Sequence, residues 1–85
     1  MPLPEPAKTG YKYIQFFKTA DTGKTSVWSC LNRKSNVILG TVAWSGQWRQ
    51  YVYRPMEGTE YSAGCERDIA QFMDHLRRVE MGDAI

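Results

Sequence analysis

Cys65, Ile69, Phe72, Met73 and Leu76 are separated by four, three, one and three residues. That spacing puts five apolar side chains on one stripe of an α-helix, because residues three and four apart share a face. Ser62 is placed to cap the first free amides. Glu66 and Asp68 fall near the positive end of the helix dipole, and Arg77 and Arg78 fall in its closing turns. Gly82 reads as the stop signal. Arg67, Asp68, Gln71, Asp74, His75 and Arg78 lie on the other side as a charged, solvated face. A helix with one apolar stripe has to bury it, so the rest of the chain must supply a matching surface.

The preceding residues have the period of strands. Residues 11–18 are rich in aromatic side chains, and Asp21-Thr22-Gly23 is a turn signal. Thr25 to Leu31 alternates, with Val27, Ser29 and Leu31 on one side and Trp28 and Cys30 on the other. A polar loop at 32–36 leads into a third strand at 37–44, in which Gly40 marks a bulge or a close backbone approach. Ser45-Gly46-Gln47 reverses the chain. Arg49, Tyr51 and Tyr53 then alternate with Trp48, Gln50, Val52 and Arg54, up to Pro55. Four strands joined by short turns predict an antiparallel meander.

The expected fold is therefore α+β: a four-stranded antiparallel β-meander packed on one C-terminal α-helix, ββββα in two layers. Residues 1–9, with three prolines, read as a flexible tail, and residues 10–82 as a single domain. The expected core takes Ile14, Phe16, Val27, Leu31, Ile38 and Val42 from the sheet and Ile69, Phe72, Met73 and Leu76 from the helix. One helix covers one face of such a sheet, and the other face stays open for a ligand or a partner.

An 85-residue chain has no room for a substrate domain beside a cofactor domain. The single histidine, His75, lies ten residues from Cys65, about 15 Å along one helix and on a different face, so the two do not form a nucleophile–base pair. Two cysteines and one histidine cannot build a structural zinc site. Neither a phosphate loop nor a nucleophile elbow is present. The reading is non-enzymatic, with no catalytic residue, no metal and no cofactor. No apolar run reaches the roughly 18–20 residues that span a bilayer. The first ten residues lack the pattern of a signal peptide, and Cys30 and Cys65 suit free thiols, which together predict a cytoplasmic protein without a membrane partner.

Charge is distributed unevenly. Residues 1–54 carry eight Lys and Arg against Glu5 and Asp21, a balance of +6, whereas residues 55–85 carry three cations against seven acids, a balance of −4. Nine of the eleven aromatic residues lie in the basic part. Cations hold phosphates, and exposed rings stack on bases. This interleaving predicts a small binding module for single-stranded DNA or RNA that works through an aromatic and basic sheet face, with contacts from Lys12, Trp28, Arg33, Arg49, Tyr51 and Tyr53. Part of the aromatic set must fill a thin core, Phe16, Trp44 and Phe72 foremost. The same Trp, Tyr and Arg surface also suits a protein–protein interaction or inhibitor module, whose partner is either a host protein or a second copy of the chain in a homodimer.

The segments Lys24-Thr25-Ser26-Val27-Trp28, Leu39-Gly40-Thr41-Val42-Ala43-Trp44, Trp48-Arg49-Gln50-Tyr51-Val52-Tyr53 and Cys65-Glu66-Arg67-Asp68-Ile69-Ala70-Gln71-Phe72 resemble a set of short bacterial and phage proteins of unknown function. Over roughly residues 12–76 the resemblance implies a compact β-plus-helix module of bacterial or viral source, and it brings no activity with it. The ββββα order also resembles the single-strand-binding coactivator folds, an analogy of architecture alone.

Overall fold

The computed structural model describes residues 3–81. Strands β1 (Ile14–Asp21), β2 (Ser26–Asn32), β3 (Ile38–Ser45) and β4 (Gln50–Pro55) form one antiparallel sheet in the order β1-β2-β3-β4, and helix α1 (Ala63–Met81) follows. The expected ββββα meander is the fold. Its turns follow from their side chains. Asp21 Oδ1 accepts the Gly23 amide at 2.8 Å, and Gly23 takes a φ of 86° that suits glycine. Asn32 Oδ1 accepts the amides of Lys34 and Ser35 and so closes the β2–β3 loop on itself. Ser62 caps α1, its Oγ accepting the Cys65 amide at 3.2 Å. The stop expected at Gly82 lies outside the described residues.

The helix lays its apolar stripe across one face of the sheet. Phe72 is the centre of the packing. Its ring stacks on Phe16 with centroids 3.9 Å apart and meets Trp28 edge-on at 5.1 Å. Ile14, Cys30, Val42, Tyr51, Ile69 and Leu76 complete this buried cluster with Tyr11, and Met73 packs against it.

Three expected core members are elsewhere. Val27 and Leu31 are half-buried on the far side of β2, and Ile38 is 47% exposed. The phase of β2 is reversed: Ser26, Trp28 and Cys30 face the helix. Both sides of β2 are apolar, and the helix takes the one carrying the indole. Burying Trp28 removes more surface from water than burying Val27, and the indole Nε1 finds a hydrogen-bond acceptor inside, Ser26 Oγ at 2.8 Å.

Residues 3–9, expected as a free tail, run back along β1. The Phe16 amide donates to the Thr9 carbonyl at 2.9 Å, Gly10 bridges Gln15, and Pro6 is buried. At the far end the Leu3 amide donates to Asp21 Oδ2 at 3.0 Å. The Lys18 ammonium lies 2.9 Å from the same carboxylate and 3.4 Å from Glu5. This segment covers part of the β1 edge, an edge that would otherwise present unpaired amides and carbonyls. Lys18, with the amides of Leu3 and Gly23, holds the Asp21 carboxyl down to about 2.

Candidate functional site

The sheet register separates the six residues expected at the site. β1 begins where β2 ends, Ile14 opposite Asn32, so the residues just outside this pair, Lys12 and Arg33, come to the same corner. There Lys12, Tyr13, Asn32, Arg33 and Lys34 line a groove of about 330 Å³. Tyr13 is exposed, and the Lys12 ammonium lies 5.2 Å from the centre of its ring. Arg33 donates one hydrogen bond to the Tyr11 carbonyl at 2.7 Å, which holds the guanidinium at the corner and leaves its other N–H donors without a partner among the described residues. None of the five lining side chains is acidic, and none of the three cations forms an ion pair among the described residues.

Arg49 lies at the opposite end of the sheet, in the β3–β4 turn, with Trp48 exposed beside it. The three remaining residues are under the helix, so the aromatic and basic open face expected from sequence does not form. Trp28 is 2% exposed and Tyr51 6%. Tyr53 is half-buried; its hydroxyl donates to Tyr61 at 2.8 Å, and Tyr61 in turn donates to the Leu39 carbonyl at 2.5 Å. Burial, and then the bond to Tyr61, push the Tyr53 hydroxyl far above the usual phenol range. As on β2, strand alternation sorts Tyr51 and Tyr53 from Val52 and Arg54 correctly, and the helix takes the side with the rings.

The open face is instead mixed in polarity, with Gln15, Ser29, Thr41 and Gln50 set among apolar side chains. Phe17, Val27, Leu31, Ile38, Ala43 and Val52 alternate with the core set, and Arg54 is the one charged strand residue among them. Tyr13, Asn32 and Lys34 join the basic corner without having been singled out from sequence. The polar run at 32–36 is the signal that marks the latter two, because a tight hairpin loop projects its side chains together.

Both cysteines are free thiols. Cys30 is fully buried, and burial pushes its thiol up to about 11. His75 is half-buried against the N-terminal segment, beside Pro6 and Lys8. Among the described residues no three His, Cys, Asp or Glu side chains gather as a metal site, and no helix is long and apolar enough to cross a membrane. No family model, curated protein or solved structure matches this chain.

Proposed function

We propose that this chain is a small non-enzymatic binding module that holds single-stranded nucleic acid at the corner formed by Lys12, Tyr13, Arg33 and Lys34. The observation that carries the reading is the composition of that groove: three cations without an acid among its lining side chains, set around an exposed tyrosine ring. Lys and Arg neutralise successive phosphates, and a base stacked on tyrosine contributes about 1–3 kcal/mol. The Asn32 turn fixes the loop that carries two of the three cations, so little ordering is needed on binding. The reading includes a cytoplasmic setting, in which both thiols stay reduced.

The test is fluorescence anisotropy of a labelled oligothymidine against the full chain at low and moderate salt. Three phosphate contacts on a single strand predict a loss of about 20-fold in affinity for a fourfold rise in salt. Lys12→Glu and Arg33→Glu should each weaken binding severalfold with an unchanged melting temperature. Absence of any anisotropy change at high protein concentration and low salt would falsify the reading.

A further inference from the structure

The uncovered sheet face mixes its apolar residues with Gln15, Ser29, Thr41, Gln50 and Arg54, the balance usual for a protein contact surface. Four strands about 4.8 Å apart, each rising about 3.3 Å per residue, make a face on the order of 400 Å² in projection. Two such faces pressed together remove on the order of 1,000 Å² of accessible surface, where specific interfaces begin.

The arrangement of the face identifies its occupant. Phe17 pairs with Ser29, Ser29 with Thr41, and Thr41 with Arg54, so these four form one straight row across the sheet near its mid-height. The row has an aromatic ring at the β1 edge, a cation at the β4 edge and small hydroxyl side chains between. Phe17 is 53% exposed, and Arg54 is exposed. A two-fold axis running parallel to the strands exchanges the two edges. It lays the Arg54 guanidinium of each copy on the Phe17 ring of the other, a cation–π contact made twice. An axis running across the strands would instead stack Arg54 on Arg54. The small residues at mid-row allow the sheets to approach to the roughly 10 Å of aligned sheet packing.

We infer that the occupant is a second copy of this chain, in a face-to-face homodimer about a strand-parallel axis with reciprocal Arg54–Phe17 contacts. The inference is independent of nucleic-acid binding. The same axis brings both basic corners to one end of the dimer, because it leaves position along the strands unchanged.

The test is sedimentation velocity of the full chain over a wide concentration range without nucleic acid. The expected result is a reversible monomer–dimer equilibrium with a micromolar Kd, as an interface of this size implies. Ala43→Arg, placing a charge on the buried face, should leave only monomer with an unchanged circular dichroism spectrum. Arg54→Ala should weaken the dimer about 5- to 30-fold through loss of both ring contacts. Exchanging the pair, Phe17→Arg with Arg54→Phe, should recover most of the affinity. If Ala43→Arg does not fold, Arg54→Glu reads the same contact from a solvent-exposed position. A wild-type chain that stays monomeric at several hundred micromolar overturns the inference and leaves the face to a different polypeptide. A dimer indifferent to Ala43→Arg and Arg54→Glu overturns it equally.

Discussion

The Tyr51 hydroxyl donates a hydrogen bond to one carboxylate oxygen of Glu80 while accepting one from the Ser26 amide at 2.9 Å. The other Glu80 oxygen accepts from Ser26 Oγ, which also receives the indole N–H of Trp28 at 2.8 Å. One carboxylate thus ties the last turn of α1 to β2 and β4. Removing the Tyr51 hydroxyl leaves a buried amide and a carboxylate oxygen each without its partner. Tyr51→Phe should therefore cost about 2 kcal/mol, a fall in Tm of roughly 8–16 °C. Glu80→Gln keeps one acceptor and should cost about half as much. Thermal melts of the two variants check the ranking.

The same network sets an alkaline limit on stability. Burial, and then the bond to Glu80, push the Tyr51 hydroxyl from its ordinary value of 10.0 up to about 12. The folded state thus prefers the neutral phenol. That preference is fully present below pH 10 and is lost as pH rises towards 12. Cys30 behaves in the same sense, from 9.0 to about 11. Urea midpoints of the wild type should hold up to about pH 9 and decline above it. In Tyr51→Phe the decline from Cys30 should remain, and the part above pH 10 should shrink.

Gly40 is the place where β3 has no room for a side chain. A Cβ built there would stand 2.5 Å from Tyr53 Cζ and 2.7 Å from the Arg54 carbonyl oxygen. The carbonyl belongs to paired backbone, and the Tyr53 hydroxyl is held by Tyr61, so neither can withdraw cheaply. Gly40→Ala should destabilise by about 1–3 kcal/mol through overpacking. Tyr53→Leu removes the obstructing ring and should reduce the cost of the alanine, which a double-mutant cycle measures.

The helix and the meander were legible because period 3.6 and period 2 are local properties. The stripe from Cys65 to Leu76 and the turns at Gly23 and Ser45 needed no tertiary information. The face of each strand that meets the helix was not legible. Val27 and Leu31 are as apolar as Trp28 and Cys30, so β2 could be read in either phase. The choice rests on contacts made at long range: Phe72 against the indole, and Glu80 reaching Ser26 across 54 residues. The same limit applies to the basic corner. Lys12 and Arg33 are far apart in the chain and meet only through the Ile14–Asn32 register. Trp28, Tyr51 and Tyr53 looked like contact residues because large amphipathic rings are chosen both for interfaces and for thin cores.

Thiol reactivity should divide the two cysteines. Cys30 is fully buried, and its thiol stays protonated to about pH 11, whereas Cys65 is half-buried near the start of α1. The thiolate is the reactive species, and it must also be reached. A disulfide reagent at neutral pH should titrate one thiol quickly in the native protein and the second only on unfolding. Cys65→Ser should abolish the fast phase. A fast phase that persists in that variant would mean that the sheet opens around Cys30 on the timescale of the reaction.

Arg49 holds a φ of 55°, and its amide donates to the Ser45 carbonyl at 2.7 Å, closing the β3–β4 turn in a left-handed conformation. A side chain in that region costs about 1–2 kcal/mol that glycine does not pay, and glycine gives back part of it through the freedom it adds to the unfolded chain. Arg49→Gly should therefore raise stability by about 0.5 kcal/mol, a Tm gain of roughly 2–4 °C. The same variant separates the two ends of the sheet. It removes a cation remote from the Lys12 and Arg33 groove, so oligothymidine affinity should change less than twofold, whereas Arg33→Ala should lower it severalfold. If Arg49→Gly weakens binding as much as Arg33→Ala does, the strand follows a path along the length of the sheet, and the corner alone is not the site.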